Sequence, residues 1–302
     1  MVMALTVGGA ALIIAALQDL FHTLFHPSAR GDISDWIAHA VWKAFRFALR
    51  RAISFAGPIA FVMTVLYWAL SLIFGFAMIY WPHLPEAFTF ASGLNPESYR
   101  TIKGAINLSL ASLMTLSTGV YPKELWIQLL MGIEAVFGFA LLTASVSWIL
   151  SIYPVLEHRR SLAHEASLLH FSEANGNRDL DEISDSDLQQ LLMGFVGQVT
   201  THRNELTQFP ITYYFYEEDK ETALAGILPY LSDIAKQSSK RNGAAGLAAI
   251  SLGGAVDDYL KFICTAILHR DFKSREEILQ AYADDHMRQI VRSPKLQNRQ
   301  KA

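Results

Sequence analysis

Residues 99–126 read YRTIKGAINLSLASLMTLSTGVYPKELW and decide how the rest of the chain is interpreted. The stretch lies between two long apolar segments, but it is too polar and too interrupted to form a simple membrane span. Its first part, Ile102 to Met114, lacks proline and predicts a short helix that ends within the membrane. Pro122 stops any helix from continuing. Because irregular backbone at membrane depth must be buried in protein or wetted by water, we interpret the stretch as a re-entrant loop.

Three apolar runs flank this loop and are each long enough to cross a bilayer, which takes about 20 residues. We predict spans at about 4–26, 59–81 and 125–153. The first run has no basic region before it and no small-residue cleavage site after it, so a retained span is favoured over a signal peptide. Between the first two spans, residues 33–53 are amphipathic and carry a basic stripe. This pattern predicts a helix on the membrane surface.

The composition divides the chain into two parts. Of 302 residues, 52% are apolar, and most of the charged residues lie in the second half. We predict a membrane domain at 1–157, with the short helix and re-entrant loop at 101–121, and a cytoplasmic domain at 158–302. The predicted fold is an all-α membrane protein. It has three transmembrane helices, a re-entrant helix and loop, and an α-helical cytoplasmic domain.

The second half is predicted to be almost entirely helical. Ser184 is a helix N-cap candidate, and the acidic residues around it lack the glycine and terminal glutamate of an EF-hand, which favours capping over calcium. Residues 209–216 look extended and aromatic. Further helices are expected at about 218–240, 244–269 and 275–291.

The central stretch has the order of elements found in one known class of channel. A short helix, Thr-Leu-Ser-Thr-Gly, Val-Tyr-Pro and a long apolar helix follow one another. This order resembles the pore helix, filter and inner helix of bacterial pore-loop cation channels of the potassium channel superfamily, over roughly residues 59–153. The resemblance implies four subunits around one pore and a gating-hinge glycine at Gly138. It also implies that residues 101–121 form the pore helix and filter. The filter itself would consist of Thr115, Leu116, Ser117, Thr118 and Gly119.

The filter departs from the family pattern, which reads T-V-G-Y-G. Ser117 stands where the first glycine would be, and Thr118 stands where the tyrosine would be. A residue other than glycine costs about 1–2 kcal/mol in a left-handed backbone conformation, so an unchanged cage of carbonyl oxygens is not expected. We expect a wider or shorter constriction lined by hydroxyls, with weak discrimination between K⁺ and Na⁺.

Several polar residues of the last span have two interpretations. Glu134 either supports the filter from behind the pore helix or faces the cavity as a ring of cation-attracting carboxylates. Thr143 and Ser147 lie at i and i+4 and either line the cavity or bond to neighbouring helices.

A polar group at the end of the first span also has two interpretations. Asp19, His22 and His26 recur at i, i+3 and i+7 on one helical face. They form either a proton or metal sensor, or a polar seam paired with a neighbouring helix.

The basic residues set the expected orientation. Lys43, Arg46 and Arg50 precede the second span, and Arg159 and Arg160 follow the third. The positive-inside tendency therefore predicts a multi-pass protein of the cell (inner) membrane, with its N-terminus outside and its second domain cytoplasmic. No enzyme signature, nucleotide-binding motif, Cys-rich metal site or nucleic-acid-binding block is present in the sequence. Cys264 is the single cysteine and cannot form an intramolecular disulfide.

Two functions follow as hypotheses. The first is an oligomeric, weakly selective or non-selective monovalent cation channel that is gated by its inner helix and cytoplasmic domain. Its expected partners are K⁺ and Na⁺, the lipid bilayer and further copies of the chain. The second is a non-conducting membrane sensor or scaffold with a channel-derived fold.

Overall fold

The computed structural model describes residues 1–24, 31–176 and 180–296. The described chain is mostly helical and has one pair of three-residue strands, which confirms the predicted all-α membrane protein. Three of its helical segments are long and apolar enough to cross a membrane: Val2–Leu24, Arg50–His83 and Leu125–Asn175. The elements in chain order are α1 (Val2–Leu24), α2 (Asp32–Ala48), α3 (Ala56–Tyr80), β1 (Phe88–Phe90), α4 (Ile102–Leu113), β2 (Val120–Pro122), α5 (Leu125–Asn175), α6 (Asp185–Gln208), α7 (Leu224–Ser238), α8 (Gly243–Ile263) and α9 (Arg275–Asp285).

The chain forms two compact units. The first unit comprises Met1–Ala48 and Pro58–Ser151, and the second comprises Leu49–Gly57 and Ile152–Ala302. The second unit thus includes the first two residues of α3 and the short segment before them.

In the first unit, α1 and α3 approach closely at glycines. A Cβ atom added to Gly9 would lie 2.4 Å from the carbonyl oxygen of Gly75, and one added to Gly75 would lie 2.5 Å from Ile13. Only glycine leaves room for this contact. Small residues have this role wherever membrane helices pack backbone to backbone.

The helix α2 is amphipathic, as predicted. Ser34, Ala38, Trp42 and Phe45 are buried within the unit. Of its two tryptophans, Trp36 is exposed and Trp42 is almost completely buried. Trp42 instead packs inside the protein.

The helix α5 extends well beyond its predicted end. We predict that Tyr153 and Pro154 end it, but it continues through Pro154 to Asn175. A proline inside a helix removes one backbone hydrogen bond without necessarily ending the helix. Here the amphipathic continuation has a partner, since Ile152, Val155, Leu162 and Ala166 are buried in the second unit.

The second unit is built on the packing of α6 against α8. Leu188, Leu192, Phe195 and Val199 recur along one face of α6 and are buried. Ser184 caps this helix by accepting a hydrogen bond from the main-chain N–H of Asp187 at 3.2 Å, as the capping interpretation predicts. No cluster of three potential metal ligands occurs among residues 180–296 or elsewhere in the described ranges.

Residues 209–216 are not extended, so that prediction is wrong. Pro210–Tyr214 form a 3₁₀ helix in which Ile211, Thr212, Tyr213 and Tyr214 are buried. Arg159 of α5 holds the segment in place. Its guanidinium donates to the carbonyl oxygens of Thr212 and Phe215 at 2.8 and 2.7 Å, and to the Glu217 carboxylate at 2.7 Å.

Candidate functional site

The helix α4 begins at a side-chain cap. The Thr101 hydroxyl accepts a hydrogen bond from the N–H of Gly104 at 3.3 Å. Gly104 lies so close to the preceding turn that an added Cβ would be 2.5 Å from Cα of Tyr99. The cap satisfies one of the N–H groups that a helix start leaves without a partner.

The same helix ends in a Schellman motif. The N–H of Leu116 donates to the carbonyl oxygen of Ala111 at 2.7 Å, and the N–H of Thr115 donates to that of Ser112 at 3.0 Å. Thr115 adopts the left-handed conformation that this motif requires, with φ 57°. Glycine is usual at this position, so threonine has a conformational cost of about 1 kcal/mol.

The predicted filter segment, Thr115–Gly119, is also fixed at its far end. The Gly119 carbonyl oxygen accepts a hydrogen bond from the N–H of Ala91 at 2.8 Å. Beyond it, β2 pairs antiparallel with β1, so that Val120 faces Phe90 and Pro122 faces Phe88. The segment therefore runs between two main-chain anchors, a helix end and a strand ladder.

The left-handed positions differ from those inferred from the family pattern. Ser117 stands at a glycine position of that pattern, but Thr115 and Gly119 are the residues of this segment with positive φ. Gly119 has φ 70°, and an added Cβ would lie 3.0 Å from Cβ of Ala91. The serine therefore carries no backbone strain here.

The segment carries side-chain hydroxyls that form no hydrogen bonds within the described residues. Thr115 and Ser117 are exposed and Thr118 is half-buried. Within the described ranges, the side chains of these three residues have no hydrogen-bond partner. Leu116, between them, is 66% exposed. A polar surface is thus left open beside one large apolar side chain.

Glu134 lies at the centre of a hydrogen-bonded group behind α4. The Tyr80 hydroxyl donates to its Oε2 atom at 2.9 Å, and the Ser109 hydroxyl contacts its Oε1 atom. The same Ser109 hydroxyl lies 2.9 Å from the carbonyl oxygen of Ile73. Glu134 is completely buried. Its carboxyl group therefore joins α3, α4 and α5.

Gly138 is a close-packing position. A Cβ atom added there would lie 1.9 Å from the carbonyl oxygen of Leu113, the last residue of α4. Two turns earlier on α5, the carbonyl oxygen of Met131 accepts a hydrogen bond from the Ser112 hydroxyl at 3.1 Å. The helix α5 continues without a break through Gly138. The observed role of this glycine is thus contact with the end of α4.

Thr143 and Ser147 share an exposed face of α5. The Thr143 hydroxyl donates to the carbonyl oxygen of Phe139 in its own helix at 2.9 Å. Ser145, by contrast, is buried and donates to Leu141. The face with Thr143 and Ser147 is the one that the single chain leaves uncovered.

Asp19 holds the start of α2. The N–H groups of Ile33 and Ser34 donate to its Oδ1 atom at 3.0 and 3.3 Å. Its Oδ2 atom accepts from Nε1 of Trp68 at 2.8 Å and from the Ser34 hydroxyl. Asp19 is buried, whereas His22, one turn further on, is exposed. The two residues therefore differ in their exposure, and His26 lies outside the described residues.

Charges at the predicted outer end form ion pairs instead of a free acidic ring. Arg100 donates to Glu97 at 3.0 Å and to Glu86 at 2.8 Å. Hydrogen bonding to Arg100 lowers the pKa of Glu97, and the two carboxylates raise the pKa of Arg100. The Lys123 ammonium donates to the carbonyl oxygen of Glu86 at 2.7 Å.

Sequence reasoning missed the partners of the two buried carboxyl groups in the described part of the first unit. Ser109 and Tyr80 meet Glu134, and Ser34 and Trp68 meet Asp19. The only signal was the cost of burying an acid in a membrane, which requires donors on neighbouring helices. That rule predicts that donors exist without indicating which residues supply them.

These features define a helical membrane protein. Between two of its candidate spans, the chain forms a short helix, α4, followed by an irregular segment. The chain is similar to the uncharacterized membrane protein YdjJ of Bacillus subtilis (strain 168), with 24% identity over 237 residues. The match covers 73% of this chain, which spans 66% of that relative's length. No family model matches the chain. No solved structure matches it either.

Proposed function

We propose that the protein is an oligomeric ion channel of the cell membrane that conducts monovalent cations with weak selectivity. The observation that carries this proposal is the segment Thr115–Gly119. It is anchored by main-chain bonds at both ends, and its hydroxyls are left without partners in the described chain.

The length of α4 supports a re-entrant path. Twelve residues form a helix of about 18 Å, which is too short for a hydrocarbon core of about 30 Å. The segment that follows is irregular, and such backbone is stable at membrane depth only beside protein or water. A water-filled passage enclosed by several copies of the chain meets this requirement.

The sign of the permeant ion follows from the helix end. A helix C-terminus has a partial negative charge equivalent to about half an electron, which favours cations. The segment Thr115–Gly119 begins at this end of α4. The outer carboxylates of Glu86 and Glu97 are paired with Arg100, so these two add little further attraction. Carbonyl and hydroxyl dipoles without a carboxylate ring fit weak discrimination between K⁺ and Na⁺.

The remaining candidate residues acquire roles within this proposal. Glu134 supports the filter by joining α4 to its neighbours, and Thr143 and Ser147 face the cavity on the uncovered side of α5. The subunit number of four rests on the family resemblance alone. Gating would involve α5, which continues into the second unit and has Arg159 fixed there. The basic residues before α3 support an N-terminus outside the cell.

Ion flux from liposomes tests the proposal. Purified protein should conduct, and its reversal potential in mixed NaCl and KCl should lie near the value for equal permeability. Ser117→Trp should abolish the flux by filling the constriction. The matched control is Val7→Trp, on an exposed position of α1, which should leave the flux unchanged.

Two results would count against the proposal. Absence of flux from correctly inserted, oligomeric protein would favour the non-conducting sensor or scaffold. Flux that Ser117→Trp and Val7→Trp reduce equally would place the conduction path elsewhere.

A further inference from the structure

The second unit contains a groove beside the C-terminal part of α5. It is bordered by α5, by the turn at Lys220 and Glu221, by Ile227 of α7, and by Val291. The cavity measures about 470 Å³. Small-molecule sites usually enclose about 300–1,000 Å³, so the groove is large enough for a ligand.

The walls of this groove are mainly apolar. Leu168 and Phe171 lie one turn apart on α5 and are 52% and 64% exposed. The Ile227 side chain is buried and forms part of the wall. Large apolar side chains exposed together in a concave surface are typical of ligand-binding grooves.

The rim supplies positive charge and hydrogen-bond donors. Lys220 and His164 line the groove, and no residue of the described ranges forms an ion pair or hydrogen bond with either side chain. The Ser167 hydroxyl donates to the carbonyl oxygen of Glu221 at 2.8 Å. This bond holds the turn that carries Lys220 against α5, so Lys220 lies at the rim of the groove.

The contact between α5 and α7, beside which the groove lies, is held by aromatic and polar interactions. The ring of Tyr230 on α7 meets the ring of His170 edge to face, with centroids 5.0 Å apart. The Tyr230 hydroxyl also donates to the Glu173 carboxylate at 3.0 Å. Burial raises the pKa of Tyr230, so the phenol remains protonated and keeps this bond. A groove held in this way needs little rearrangement to bind a ligand.

We propose that this groove binds a small aliphatic carboxylate, with the carboxylate at Lys220 and His164 and the chain against Leu168 and Phe171. One unpaired ammonium group next to apolar walls matches an anion with an apolar body. Glu221 is the acidic residue on the rim, and its charge opposes an anion. The proposal is independent of ion conduction.

A fluorine NMR titration tests this site directly. The probe is 6,6,6-trifluorohexanoate, added to the full-length protein in lipid nanodiscs, with empty nanodiscs as the reference. Lys220→Gln should weaken binding about tenfold, since one charge-assisted hydrogen bond is lost. The matched control Lys240→Gln, on an exposed lysine elsewhere in the unit, should bind like the unmodified protein.

Two further variants should change the affinity for the probe in opposite directions. Leu168→Ser should weaken binding by removing part of the apolar wall, and Glu221→Gln should tighten it by removing repulsion. The proposal is overturned if the neutral probe 6,6,6-trifluorohexanamide binds as well as the acid. It is also overturned if Lys220→Gln and Lys240→Gln behave alike, or if the probe signal broadens no more than with empty nanodiscs.

Discussion

At the scale of single residues, two buried acids and one glycine fix the geometry of the membrane unit. Each acid accepts bonds from more than one element, so its removal affects a joint rather than one helix. The glycine acts through the absence of a side chain. These three residues give the most direct tests of the packing.

Gly138→Ala should destabilise the protein by about 2 kcal/mol, because the new methyl group would meet the Leu113 carbonyl oxygen at 1.9 Å. Gly132→Ala is the matched control, because an added Cβ there has nothing within 4 Å. Thermal unfolding of the purified protein measures both. Equal melting temperatures for the two variants would show that α4 does not approach α5 this closely.

Asp19→Asn should cost about 2 kcal/mol, because an amide nitrogen cannot accept the bonds that one carboxylate oxygen accepts. Two donors, from Ser34 and Trp68 or from the main chain, would lose their acceptor. Asp32→Asn, at an exposed position in the first turn of α2, should have a small effect. If the two variants have the same melting temperature, the Asp19 hydrogen bonds contribute no more to stability than the loss of a charge at an exposed position.

At the scale of elements, the short helix α4 was the most predictable part of the chain. The expected helix from Ile102 to Met114 and the observed Ile102–Leu113 differ by one residue. Its ends depend on local sequence. Thr101 caps its start, and the residues after Met114 are less typical of a helix. The continuation of α5 past Pro154 was not predictable in this way, because it depends on burial against distant residues.

The short strands and the aromatic segment were missed for related reasons. The residues of β1 and β2 are 32 positions apart for Thr89 and Tyr121, so their pairing leaves no local pattern. The segment 209–216 has residues that favour strands, yet Arg159 binds its carbonyl oxygens in a 3₁₀ turn. Tertiary hydrogen bonds overrode local propensity.

The helix α6 contains a buried histidine that predicts a pH dependence. His202 is buried beside Tyr259, and desolvation lowers its pKa. Glu205, Arg159 and His158 are the charged groups near it. The unfolded chain has the ordinary value of about 6.5, so it takes up a proton first as the pH falls. The stability of the second unit should therefore be full above about pH 6.5 and decrease below it.

His202→Phe should reduce this pH dependence, since the ring remains and the titrating group is lost. Denaturation midpoints at pH 7.5 and pH 5.5 measure the difference. His269→Asn, which replaces an exposed histidine with another residue that tolerates a left-handed conformation, is the control. An unchanged slope in His202→Phe would assign the dependence to another group.

At the scale of the whole molecule, the decisive question is which side of the membrane reaches the filter segment. Cys264 is the single cysteine and is buried, so introduced cysteines can be labelled selectively in a Cys264→Ala background. In intact cells, Ser117→Cys should react with an impermeant maleimide. Lys240→Cys should react only after permeabilisation. Labelling of Ser117→Cys from the cytosol alone would contradict the proposed topology.

The path of the backbone through Thr115–Gly119 is fixed at both ends by main-chain hydrogen bonds. It therefore depends little on which side chains the segment carries. Substitutions between the anchors can alter polarity or bulk while the route is conserved, so homologues are free to diverge in what these positions offer to water and ions. A change in segment length is different. Because both ends of the segment are hydrogen-bonded, neither end can shift to accommodate an inserted residue. The extra residue would have to bulge out of the segment.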